Sequence, residues 1–227
     1  MRREEAELMA DWIRSLALPA GAVCLNIGSS TGAFRTSEQP HIDSLLIRPI
    51  EQSGLRVVHC DMKAADGVDE VGDLLDPAFR ASLRRYEADL MICSNLLEHL
   101  TDPQGFALAC GELVRPGGYG LFTVPLSYPY HPDPIDTGLR LKAPELAALL
   151  PGWDTVKAEE IVAGSYVGDL RASGEGVKRL ANQIVRTALP FYRPRQWKGI
   201  AHRLLWLFRP YRQSMVLLRK PAAAASG

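Results

Sequence analysis

Several side chains able to bind or move charge recur just past short apolar runs. The clearest case is VCLNIGSSTG, Val23 to Gly32. Val23, Cys24, Leu25 and Ile27 make a nearly continuous apolar run, the pattern of a strand buried on both faces. Gly28, Ser30 and Gly32 then form a small-residue turn in which bare peptide and hydroxyls can meet a polar ligand. Asp61 follows the apolar run RVVHC, Asp73 and Leu74 follow the short stretch around Val71, and Asn95 ends ADLMICSN, with Leu96, Leu97, Glu98 and His99 after it. Carboxylates at such positions suit vicinal hydroxyls or an exocyclic amine, because each oxygen accepts more than one hydrogen bond. His131, Asp133 and Asp136 lie in the proline-rich segment SYPYHPDPIDTGLR just after the run LFTVP. A histidine there suits proton removal, with Asp136 as an orienting or alternative acid. Each reading has a plainer rival. His99 could be a packed loop residue, Asp136 could simply pair with Arg140 four residues on, and the glycine loop could be an empty turn. His131, Asp133 and Asp136 give too few ligands to make a metal site, and none is expected.

The elements that must hold these residues alternate. Residues 3–18 read as an amphipathic helix, 42–52 as a second, and 103–114 as a third, with AFRASLRRY and APELAALL as further helices. Between them fall seven strands, the later ones being LFTVP, Trp153–Ile161 and SMVLLRK. Short links between alternating strands and helices imply an α/β fold, a doubly wound, mostly parallel sheet with helices on both faces. In such sheets ligands sit at the carboxyl ends of strands, where Gly28, Asp61, Asp73 and Asn95 all fall. The fingerprint GxGxxG is incomplete, since position 30 is serine, and the phosphate-binding GxxxxGK[ST] pattern is missing.

With these residues in view, the chain resembles the class I S-adenosylmethionine-dependent methyltransferases, of the type-11-like kind, over nearly its whole length. NIGSSTG is similar to that family's first motif, DLMICSNLLEHL to its fourth-strand motif, and LVRPGGYGLFTVP to its proline-glycine-glycine turn and fifth strand. The resemblance implies a Rossmann-like fold, S-adenosyl-L-methionine as cofactor, and a cofactor site made of Asn26, Gly28, Ser30, Gly32, Asp61, Asp73, Leu74 and Asn95, with Asp61 on the ribose and Asp73–Leu74 at the adenine. It implies methyl transfer to a small-molecule or sugar acceptor, with His131, His99 and Asp136 as the catalytic candidates. Two positions depart from the family: Asn26 stands where an acid is usual, and Ser30 where a second loop glycine is usual. The spacing from Gly32 to Asp61 is long, which marks FRTSEQPHI as an added segment and a candidate lid. An NAD-dependent oxidoreductase, which would use the same Asp61, and a non-catalytic cofactor-binding module are the competing readings.

The wider composition bounds the rest. At 227 residues, with 47% hydrophobic and 23% charged, the chain has the profile of one soluble globular domain, expected over residues 1–220 with 221–227 as a frayed tail. The first twenty residues lack the apolar segment of a leader, and the four cysteines lack a CxxC pair, so reduced, buried thiols and a cytoplasmic setting are expected. The formal net charge of zero conceals a division: residues 1–170 carry 14 Lys+Arg against 25 Asp+Glu, a net of −11, and residues 171–227 carry 12 against 1, a net of +11. The basic stretch 171–212 reads as a helical insertion before the last strand. Its mixed aromatic and basic residues suit either peripheral contact with anionic lipid or packing on its own acidic body or in a homodimer; no nucleic-acid motif accompanies them.

Overall fold

The computed structural model describes residues 1–130, 135–174, 178, 180–182, 184–185 and 206–223. Its framework is one seven-stranded sheet in the order β3-β2-β1-β4-β5-β7-β6. The strands are β1 (Val23–Ile27), β2 (Arg56–Asp61), β3 (Glu70–Val71), β4 (Ala88–Ser94), β5 (Val114–Ser127), β6 (Asp154–Ser165) and β7 (Pro210–Arg219). The first five run parallel, and β7 lies antiparallel between β5 and β6. This is the mostly parallel, doubly wound arrangement that the alternation of elements implies.

Two apolar layers cover the sheet. On one face α1 (Arg3–Ser15) buries Met9, Trp12 and Ile13 against Leu46 and Ile50 and the sheet residues Cys24, Leu90 and Leu217. On the other, α5 (Pro103–Leu113) and α6 (Ala143–Ala147) bury Phe106, Leu113 and Leu146 against Leu25, Met91 and Phe122. Side chains alternate between faces along a strand, so neighbours Leu90 and Met91 of the apolar run ADLMICS feed opposite layers. Helices α4 (Pro77–Leu83) and α5 start on aspartates: Asp76 accepts from the amide of Ala78 at 3.0 Å and Asp102 from that of Gly105 at 2.8 Å. The turn after α5 needs its glycines, because Gly117 sits at φ +77° and a Cβ on Gly118 would lie 2.7 Å from Val114. All four cysteines are free and buried, as expected, and burial pushes the Cys60 thiol up to about 12.

Three boundaries correct the sequence reading. FRTSEQPHI, the candidate lid, is helical: a wide turn over Phe34–Glu38 leads into α2 (Pro40–Ile42), a second wide turn over Asp43–Ile47, and α3 (Arg48–Gln52). Its polar look misleads because Arg35, Ser37 and Gln39 share the turn with Phe34, while Ile42, Leu46 and Ile47 supply the buried side. Strand β7 starts at Pro210, so 210–212 belong to the sheet and not to the insertion. Helix α7 (Tyr166–Ala172) begins ahead of the basic stretch, whose larger part, with the tail from 224 on, lies outside the described residues. No helix among the described residues is long and apolar enough to cross a membrane.

Candidate functional site

The chain leaves β1 on one side of the sheet and returns to it at β4, and the gap between their carboxyl ends is the switch point where open α/β sheets bind ligands. A cavity of about 840 Å³ opens there. Of the residues expected at a cofactor site, Asn26, Gly28, Ser30, Asp61, Asp73, Leu74 and Asn95 line it, and so does His99. Gly32 does not. It sits behind the wall, its amide bonded to the Asp66 carbonyl at 2.7 Å and its Cα against Gly67, where a Cβ on Gly67 would come within 2.7 Å. Its smallness serves loop packing.

The glycine loop is held mainly by backbone contacts. The amides of Gly28 and Ser29 both donate to the Cys60 carbonyl, at 2.9 and 3.1 Å, which ties the end of β1 to the end of β2. Gly28 adopts φ +69°, and a Cβ there would lie 2.7 Å from Leu96, so this strand end stays bare. Ser30 adopts φ +55°, a conformation that costs a non-glycine residue about 1 kcal/mol. Two contacts hold it: its amide donates to Asp61 Oδ2 at 2.8 Å, and its carbonyl accepts from Arg35 Nη1 at 2.7 Å. Arg35 is buried and also donates to the carbonyls of Ser29, at 2.9 Å, and Gly67, at 2.5 Å. This lock was missed in the sequence, where Arg35 looked like one polar residue of a loop; the long gap between Gly32 and Asp61 was the available signal.

Asp61 accepts from Ser30 N on one oxygen and from Lys63 N, at 3.0 Å, on the other, and each oxygen keeps a second lone pair for a hydroxyl. Asp73 Oδ1 accepts from Leu75 N at 2.9 Å, and buried Leu74 closes the apolar side beside it. Asn26 has a local explanation. Its Nδ2 donates to His59 Nδ1 at 3.1 Å, and burial, with Arg35 nearby, depresses the His59 pKa to about 4. A neutral imidazole nitrogen wants a donor, and an amide supplies one where a carboxylate cannot.

The ends of β4 and β5 are organised differently, around a carboxylate from α1. Glu5 is fully buried, and its Oε1 accepts from Asn95 Nδ2 at 2.7 Å, Ser94 Oγ at 3.0 Å and Thr123 Oγ1 at 2.6 Å, while Oε2 accepts from Arg2 N at 3.0 Å. Asn95, at φ +49°, is fixed by this bond and by its own amide to the Thr123 carbonyl at 3.0 Å. Sequence reading did not single out Glu5 among the acids of the first helix. The Glu98 carboxyl is also buried and lines the cavity; desolvation, with the charge of Glu5 adding, pushes its pKa up to about 7. His99 Nδ1 contacts the Ile135 carbonyl, so that nitrogen carries the proton, and Nε2 faces Glu98 Oε1 at 3.8 Å.

The remaining catalytic candidates separate. Asp136 is corrected: its buried carboxylate pairs with Arg140 in two contacts, at 2.6 and 3.0 Å, and lies outside the cavity wall. An arginine four residues on provides a bidentate partner, and a carboxylate so engaged is a poor proton acceptor. His131 falls outside the described residues. No group of three metal-ligating side chains occurs among the described residues.

An open, mostly parallel sheet with a bare glycine turn and acids at its strand ends defines a nucleoside-binding α/β protein of the Rossmann-like class. The chain belongs to the family described as methyltransferase domain, whose profile matches residues 1–203. Among curated proteins it is similar to the ubiquinone biosynthesis O-methyltransferases of Ralstonia nicotianae, 28% identical over 116 residues (51% of this chain, 48% of that protein), and of Aromatoleum aromaticum, 31% identical over 128 residues (51% and 49%). The chain thus spans about half the length of these relatives. Two solved structures share the fold: the cyclase SpnF, with TM-score 0.53 at 15% identity, covering 96% of this chain and 81% of that one, and coclaurine N-methyltransferase, with TM-score 0.52 at 13% identity, covering 96% and 71%.

Proposed function

We propose that the protein transfers a methyl group from S-adenosyl-L-methionine to a hydroxyl of a small-molecule acceptor. The observation that carries this reading is the Gly28–Ser30–Asp61 corner, where a strand end at positive φ, with Leu96 where a Cβ would stand, faces a carboxylate with spare lone pairs. Asp61 would hold the ribose hydroxyls, Asp73 and Leu74 the adenine, and the Gly28–Ser30 backbone the amino-acid end. When bound, the cofactor supplies an electrophilic methyl group on a sulfonium. The chain's own part is then to align the acceptor with it and to remove the acceptor's proton. His99 on the wall, and His131 shortly after the end of β5 in the sequence, are the chain's candidates to contact the acceptor. Oxygen as the methyl acceptor is favoured by the names of the curated relatives, which are O-methyltransferases. The shared fold does not decide the chemistry, since a cyclase and an N-methyltransferase both have it.

Calorimetric titration with S-adenosylmethionine, S-adenosylhomocysteine and NAD tests the assignment. Binding of both adenosyl ligands and not of NAD is the expected result. Binding of NAD alone would replace the reading with an oxidoreductase, and binding without turnover on any hydroxyl acceptor would leave a cofactor-binding module.

A further inference from the structure

Three carboxylates line the cavity among the described residues, and they are treated differently by their surroundings. Asp61 receives two backbone N–H groups and Asp73 one, as suits groups that hold a ligand in place. Glu98 stands apart: its Oε2 is buried and, among the described residues, has no hydrogen-bond partner, and its own backbone amide is the main group that favours its charged form. Its backbone is nonetheless firmly set, since the Thr137 amide and hydroxyl both donate to the Glu98 carbonyl at 2.9 Å. A fixed main chain carrying a buried carboxyl oxygen without a hydrogen-bond partner is costly to keep. Proton transfer is the use that needs it, because a carboxylate saturated with donors holds its charge too well to accept a proton.

The groups facing Glu98 come from several elements. Glu5 on α1 opposes its ionisation, whereas Arg140, itself tied to Asp136, and the amino terminus favour it, and His99 Nε2 stands 3.8 Å from Oε1. Glu5 has all its contacts filled by Arg2, Ser94, Asn95 and Thr123, so two carboxyls close in space have opposite surroundings. Separated environments of this kind mark acid–base assignments.

We propose that Glu98 is the proton acceptor of the reaction and that Glu5 is a positioning residue that keeps it receptive; this rests on the methyl-transfer reading. The acceptor's O–H bond breaks and its proton passes to the Glu98 carboxylate. The oxygen's electron pair forms the new bond to the methyl carbon, while the sulfur–methyl bond breaks and its electrons return to sulfur, leaving a neutral thioether.

Two measurements test this. Carboxyl-carbon NMR of glutamate-labelled protein, alone and with S-adenosylhomocysteine, is expected to show one glutamate titrating near neutrality. That resonance should vanish in Glu98→Gln and move to lower pH in Glu5→Gln; a Glu98 that titrates in the ordinary carboxylate range, or one that Glu5→Gln leaves unmoved, overturns the proposal. Turnover over a panel of phenols and sugars is expected to fall about a hundredfold in Glu98→Gln. Cofactor affinity should stay within about twofold, and the pH–rate rise should shift down in Glu5→Gln. Undiminished turnover in Glu98→Gln removes Glu98 as the base while leaving the function intact. A parent protein that binds S-adenosylmethionine but methylates none of the panel overturns the function itself.

Discussion

The two halves of the cavity are built on different plans. Around β1, β2 and β3 the wall is mostly main chain, set by contacts within and between neighbouring strand ends: Arg35 reaches carbonyls five and six residues back, Asp61 caps the amide two residues on, and Ser30 meets Asp61 across 31 residues. Around β4 and β5 it is set by side chains that meet across the whole chain, Glu5 joining Ser94, Asn95 and Thr123 at separations of 89, 90 and 118 residues. A common ligand can be held by peptide groups, which every sequence has. A reacting group needs a particular side chain in a particular dielectric, and only tertiary packing provides that.

Arg35→Ala strikes hardest at the first plan. It leaves the buried Ser29 carbonyl, and the less buried carbonyls of Ser30 and Gly67, without their donor, at a cost of about 3 kcal/mol in urea-measured stability. Affinity for S-adenosylhomocysteine should fall with it. An alanine variant with unchanged affinity would show that the loop holds its shape without the guanidinium.

A pH comparison of similar size sets one half against the other. The folded pKa of Glu98 is raised to about 7, so its share of stability is full below its unfolded pKa near 4.5 and is lost as pH climbs through about 7. The folded pKa of His59 is lowered to about 4, so its share is present above 6.5 and is lost as pH falls toward 4. Each amounts to about 3 kcal/mol over that window, in opposite directions. Relative to the parent, Glu98→Gln should gain stability as pH rises from 4 to 7, and His59→Asn as it falls. Denaturant midpoints that run parallel to the parent's in both variants would refute the contrast.

The smallest effect expected is on binding alone. Asp61→Ala should weaken S-adenosylmethionine by about 1 to 3 kcal/mol, read by calorimetry, with Glu98 titrating as before. Equal affinity in the variant would move the ribose contact elsewhere.

The same contrast explains what was legible beforehand. Strand and helix periodicity placed all seven strands, and the polar residues at strand ends pointed to the cavity wall they line, because both are local patterns. Glu5 could not be found that way, since at a helix start it matches any first-turn acid, and its partners lie in strands three elements and more away. Arg35 was hidden for a milder reason: a polar-looking nonapeptide wound into wide helical turns buries one of its charges. Asp136 and Arg140 have the spacing of an ordinary i, i+4 pair, and the plainer reading of Asp136 is what the structure shows.

The position of β7 governs how the sheet can be made. It pairs with β5 across about a hundred residues, Tyr119 with Arg219, and it also carries the whole length of β6. While the chain emerges from the ribosome, β5 therefore presents an open edge bearing Leu121, Phe122 and Val124, and β6 has no neighbour to pair with. Both stay unpartnered until Met215 to Leu218 arrive. Pairings of such long range form slowly, so this nascent edge is the point at which the growing protein is most open to aggregation and to capture by chaperones.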